Sequence, residues 1–206
     1  MDIASILLSF AVVLASLTVH EWAHAWTADR LGDSTARMLG RVSFNPMVHI
    51  DLLGTVVLPL IAMFSGLPIL GWAKPVPVNI SRLGHPRRDF MIVAAAGPAS
   101  NIVLAVIASL VFRAVGGMEA TGGTGPTQIL LMAVQINILL AVFNMLPVPP
   151  LDGGNVLAGL LPDHMSGLLQ VLRSYGFIIL YALMLTGILE RLIMPPALFL
   201  MRLLLL

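Results

Sequence analysis

The chain has 206 residues, 58% of them hydrophobic and 10% charged, with a mean hydropathy of +0.97. That balance excludes an ordinary soluble domain and defines an integral membrane protein. A formal net charge of +1 with no basic stripe argues against a nucleic-acid partner, and the absence of cysteine removes disulfides and thiolate metal ligands, so any metal site must use His and carboxylate.

The first element runs from Ala4 to about Ala28, some twenty-five residues of helix and long enough to cross a bilayer with some tilt. It lacks a basic start and runs straight into ionisable residues, so it reads as a retained helix and not as a cleaved signal. Its carboxyl-terminal part carries His20-Glu21-Trp22-Ala23-His24. Residues four apart on a helix share a face, so two imidazoles stand side by side at a spacing that suits one Zn²⁺. Glu21 lies one step round, within reach of a metal-bound water without being a ligand. Histidine pairs on helices are commonly structural, but ionisable groups in an apolar span each cost roughly 2.5 to 3.5 kcal/mol, and three are crowded here.

Residues 29–45 are polar and rich in turns, and the piece ARMLGRVSFN predicts a short β-hairpin about Gly40. The apolar run Asp51 to Leu70 is long enough to span yet broken by Gly54, Pro59, Gly66 and Pro68, as expected of a partial or re-entrant passage. The loops at 28–50 and 71–89 are similarly basic, and a partial passage would leave both on one side. His49 and Asp51 form a second His-x-Asp pair that would share a face on a strand and so rival for the metal, and it is read otherwise as a loop cap or as a group that supports the site or gates substrate. Phe90 to Phe112 is a span whose first half is packed with small residues, permitting close helix approach. After the Gly-rich loop 116–125, a span from Gln128 to Leu146 runs into PVPPLDGG. A last span is expected at Tyr175 to Leu189, followed by a break near Pro195-Pro196 and a short amphipathic tail. The expected architecture is an all-α polytopic membrane protein of four to six membrane segments, forming a single domain over residues 1–206.

Two histidines leave a catalytic zinc one protein ligand short. Most other carboxylates lie in polar loops, whereas Asp152 directly follows a span, flanked by Pro147, Pro149, Pro150 and Gly153-Gly154. Helix capping is the alternative role for such an aspartate.

Taken together these residues resemble the site-2 protease family of intramembrane zinc metalloproteases. His20-Glu21-Trp22-Ala23-His24 matches its HExxH, Asn144 to Gly153 matches its NxxPxxxxDG with each spacing intact, and Gly97-Pro98-Ala-Ser-Asn101 is similar to its GPxxN. The phrase GWAKPVPVN and the lack of an inserted PDZ or CBS domain resemble the compact subgroup. The resemblance implies one Zn²⁺ per chain, held by His20, His24 and Asp152, with Glu21 as general base. For Asn144 and Asn101 it suggests a substrate or oxyanion role, with an interhelical hydrogen bond as the alternative. It further implies a transmembrane protein substrate cut in or near its apolar segment, in the lipid bilayer of a prokaryotic plasma membrane. An extended substrate could add as a strand near 36–45 or 74–80. A metal-binding transporter or scaffold is the competing class, distinguished by its having no need for Glu21. Homo-oligomerisation is left open.

Overall fold

The computed structural model describes residues 3–58, 61, 71–117 and 125–206. Its α-helices are α1 (Ile3–Arg30), α2 (Thr35–Met38), α3 (Pro86–Ala114), α4 (Pro126–Asn144), α5 (Asp152–Leu160), α6 (Ser166–Leu185) and α7 (Ile188–Leu205). Helices α1, α3 and α4 are each long and apolar enough to cross a membrane; α6 and α7 qualify together as a pair bent by 81°, giving up to four spans among the described residues.

Helix α3 is central and packs against α1, α4, α5 and α7. It starts where its orphan donors are met: Pro86 stands at the first position, where no N–H is needed, and Asp89 reaches back to accept from the His85 N–H at 2.6 Å. Ala105, Val134, Ile138 and Ala197 form a fully buried cluster where α3, α4 and α7 meet. Three apolar helices meet there around alanines, which let the backbones come close.

Helix directions follow from paired contacts. His24 meets Val93, His20 meets Asn101, and Ser16 meets Asn101, so α3 runs antiparallel to α1. Ser16 meets Asn137 while His20 and His24 meet Asp152, just past the end of α4, so α1 and α4 are parallel. This places the carboxyl ends of both at the same level, which the two metal motifs require if they are to converge.

The expected re-entrant passage between Asp51 and Leu70 lies mostly outside the described residues, but its two ends meet. The Trp72 N–H donates to the Gly54 carbonyl at 3.1 Å, and the Lys74 N–H to the His49 carbonyl at 2.9 Å. The Asn79 N–H likewise donates to Asp33 at 2.6 Å, and the Gly84 N–H to the Leu31 carbonyl at 3.2 Å. The two basic loops therefore lie together, on the side where α1 ends.

Two expectations are corrected. The β-hairpin about Gly40 is absent, and no strand occurs among the described residues. Asp33 instead accepts from the Thr35 N–H and hydroxyl, which starts the helical turn α2, and Gly40 leaves it at φ 68°. The break near the carboxyl end is not at Pro195-Pro196, which lie inside α7, but at Gly187, whose φ of 71° only glycine takes readily.

Candidate metal centre

The site forms where α1, α3 and the start of α5 converge. His20 Nε2 and His24 Nε2 are 3.0 Å apart, and Asp152 Oδ2 lies 3.1 Å and 3.4 Å from them. These three donor atoms fall within 4.8 Å of one another and are the one such His and carboxylate group among the described residues.

The turn that brings Asp152 in explains the local sequence. After α4 ends at Asn144, the chain folds back through the prolines and α5 starts at Asp152 itself. A Cβ at Gly153 would lie 2.3 Å from the Met145 carbonyl oxygen, and one at Gly154 would lie 2.5 Å from the Pro149 nitrogen. Only glycine allows this reversal to pack onto the helix that follows it.

The tautomer of each histidine is set from behind. His24 Nδ1 is 2.7 Å from the Val93 carbonyl oxygen and His20 Nδ1 is 2.7 Å from Asn101 Oδ1. Both partners only accept, so each Nδ1 carries the hydrogen and each Nε2 presents its lone pair to the other and to Asp152. Asp152 Oδ2 is buried and receives no well-directed hydrogen bond. Two converging lone pairs and an unsatisfied carboxylate oxygen repel one another unless a cation sits among them. The donor set therefore fits a divalent metal with N and O preferences, and suits Zn²⁺.

Gly97 supplies the room. A Cβ there would lie 2.3 Å from His24 Nε2 and 2.6 Å from His20 Nε2, in the space onto which both nitrogens open. Glu21 is buried beside the site, with its Oε2 accepting from the Val76 N–H at 3.2 Å. Site and carboxylate share a cavity of about 940 Å³ whose wall includes Phe10, Leu14, Trp72, Phe143 and Phe177. Asn144 and Asn155 also face it; the Asn144 amide donates to the Leu140 carbonyl of its own helix at 3.0 Å.

Asn101, expected near substrate, is fully buried between His20 and Asn137 and does not line the cavity. His49 and Asp51 stand outside the metal group: His49 Nε2 contacts the Ser43 carbonyl at 2.8 Å, and Asp51 caps the π-helical turn Leu52–Val57 through the Gly54 N–H at 2.8 Å. Sequence reasoning passed over Asn137, Ser16 and Asn155. An asparagine inside the apolar run ILLMAVQINILL was the visible signal for Asn137, because an amide at that depth needs a partner.

Comparison with known proteins agrees with the geometry. The model of peptidase family M50 matches residues 112–186. The "Putative zinc metalloprotease YwhC" of Bacillus subtilis (strain 168) is 40% identical over 84% of this chain and 78% of its own length. Two proteins named Rip2, with the same description, are similar: that of Mycolicibacterium smegmatis is 33% identical over 86% of this chain and 66% of its own length, and that of Mycobacterium tuberculosis (strain ATCC 25618 / H37Rv) is 28% identical over 84% and 64%. No solved structure matches. Fold and site together define a multi-pass membrane zinc metalloprotease. The chain belongs to peptidase family M50, the site-2 protease family.

Proposed function

We propose that this protein is an intramembrane endopeptidase that binds one Zn²⁺ per chain through His20, His24 and Asp152 and hydrolyses peptide bonds in or near transmembrane segments of other membrane proteins. The observation that carries the reading is the convergence of the two Nε2 atoms and Asp152 Oδ2 within 4.8 Å, in an apolar-walled cavity shared with Glu21. Zinc, when bound, acidifies a water to a pKa of about 7 and polarises the scissile carbonyl. Glu21 takes a proton at its carboxylate and returns it to the departing amine; the Val76 N–H holds that carboxylate in place. Asn101 and the Val93 carbonyl orient the imidazoles. Asn144 lines the cavity and is the remaining candidate for binding substrate backbone. His49 and Asp51 support the loop that packs against residues 72–74.

Strand addition takes a specific form on this reading. Trp72, Lys74 and Val76 turn their N–H groups inward, to Gly54, His49 and Glu21, and Pro75 and Pro77 have none. A substrate laid along 74–77 would pair by donating its own N–H groups to carbonyls, of which those of Lys74 and Pro75 already accept from Arg41. The bacterial relatives support placement in a prokaryotic plasma membrane.

The test compares membrane proteomes of cells carrying the wild type or Glu21→Gln. A membrane protein that accumulates uncut in the variant, with the cleaved bond mapped inside or beside its apolar segment, is the expected result. Cleavage confined to bonds far from any such segment, or equal cleavage in the two strains, would overturn the proposal.

A further inference from the structure

One polar chain crosses the middle of the helix array. Asn137, in α4, donates through Nδ2 to the Ala133 carbonyl at 2.8 Å and to Ser16 Oγ of α1 at 2.9 Å. Its Oδ1 accepts from Asn101 Nδ2 of α3 at 2.9 Å, and that same Nδ2 lies 3.5 Å from the Ser16 carbonyl. Asn101 Oδ1 then faces His20 Nδ1 at 2.7 Å. Asn101, Asn137 and Ser16 are all almost wholly buried, at 0%, 3% and 3% exposure, so no solvent can substitute for a missing partner.

The direction of every bond in this chain is forced from its far end. A backbone carbonyl can only accept, so Ala133 fixes the Asn137 amide nitrogen toward itself and toward Ser16. The Asn137 oxygen must then face Asn101, whose nitrogen turns toward it, leaving only the Asn101 oxygen for His20. That oxygen cannot donate, so His20 is held with its hydrogen on Nδ1 and its lone pair on Nε2. His24 needs no such device, because its Nδ1 meets the Val93 backbone carbonyl directly. An asparagine without Asn137 behind it would keep only the long 3.5 Å approach to the Ser16 carbonyl to oppose rotation of its amide; rotated, it presents –NH₂ to His20, which favours the opposite tautomer and turns an N–H toward the metal position.

We infer that Asn137, supported by Ser16 and acting through Asn101, is a positioning residue that fixes the tautomer of His20 for metal binding. The inference rests on the zinc reading of the site, and Asn137 and Ser16, unlike Asn101, belong to none of the motifs that announce that site.

The test uses the purified full chain with ¹⁵N-labelled histidine, measuring zinc affinity by competition with a chromophoric chelator and the ring nitrogen signals of the metal-free protein. Asn137→Ala is expected to weaken zinc binding by roughly 10- to 100-fold, the usual effect of losing a group behind a ligand. His20 is expected to lose its single Nδ1–H pattern while His24, held by a backbone carbonyl, keeps its own. Ser16→Ala removes one acceptor only and serves if Asn137→Ala fails to fold, with the same His20-selective change at smaller amplitude. Wild-type affinity together with an unchanged His20 pattern in the folded variant would overturn the inference, as would equal disturbance of both histidines. A wild type that binds no zinc would instead overturn the metal reading beneath it, so the two failures are distinguishable.

Discussion

Gly97 and His24 stand so close that a Cβ on the glycine would lie 2.3 Å from the imidazole Nε2, about the length of a zinc–nitrogen bond. The glycine of the GPxxN motif thus leaves open the space that the proposed metal would fill, while the asparagine four residues on faces His20 Nδ1. Gly97→Ala should cut zinc retention by about 100-fold, the upper end of what loss of a supporting group costs. The helix itself should survive, because alanine is the better helix former. Metal analysis beside circular dichroism checks this; a variant that keeps stoichiometric zinc would contradict it.

The second glycine constraint acts through the backbone. Gly153→Ala would drive a methyl to 2.3 Å from the Met145 carbonyl oxygen, where the chain reverses onto α5. The chain must shift to relieve it, at about 1–3 kcal/mol, and Asp152 shifts with it. Lower thermal stability together with weaker zinc binding is the expected outcome. Reduced stability with unchanged zinc affinity would show that Asp152 is placed independently of this turn.

Removal of the metal and removal of the base should separate cleanly. Chelation should abolish proteolysis and zinc should restore it. Glu21→Gln should retain zinc, since Glu21 is not among the three converging donors, yet lower turnover by roughly 10²–10⁴-fold. Single-turnover cleavage of a reconstituted membrane substrate reads both. Loss of zinc from Glu21→Gln would mean that the carboxylate belongs to the coordination sphere.

Asp33 ties the loop after α1 to the loop before α3. It is fully buried and accepts from the Thr35 N–H and hydroxyl and from the Asn79 N–H. Burial opposes its ionisation, but those hydrogen bonds, with the charge of Arg82, outweigh it and lower its pKa below the ordinary 3.8. A depressed folded value means that its stabilisation is complete above about pH 4 and is lost as the pH falls through the lowered value. Asp33→Asn should cost about 1–3 kcal/mol at neutral pH, because an amide nitrogen replaces an acceptor among three donors. The variant should also lose that acid-dependent part of the unfolding curve. Thermal unfolding of both proteins from pH 2 to 7 checks the sign; parallel curves would refute it.

A further prediction concerns Arg41, which is buried and donates to the Lys74 and Pro75 carbonyls. Replacing it with methionine keeps the apolar stem but frees the segment that holds Glu21 through Val76. Residues 71–79 should become more open to limited proteolysis, and turnover should fall while zinc content stays constant. Unchanged protection of that segment would show that its other hydrogen bonds suffice.

The sequence by itself determined the candidate donor set and the apolar helix that carries most of it. HExxH on an apolar helix sets two imidazoles on one face by helical periodicity alone, and a span that runs into PVPPLDGG marks Asp152, because prolines and glycines there forbid the helix from continuing. The parallel course of α1 and α4 was also legible, since both motifs sit toward the ends of their spans. What only the tertiary structure decided depends on which faces of different helices meet, and no spacing within one helix encodes that. Gly97 reads in sequence as one small residue among several and Asn137 as a stray amide, until α3 sets the first against the histidines and α4 sets the second against Asn101. The turn after α1 misled for a related reason. Gly40 marks a reversal in a hairpin or after a helix alike, and the choice fell to Asp33, whose bonds to Thr35 favour a helical turn and whose bond to Asn79 joins residues 46 positions apart in the chain. The HExxH pentad supplies the lone pairs, but their direction comes from the residues that other helices place behind it.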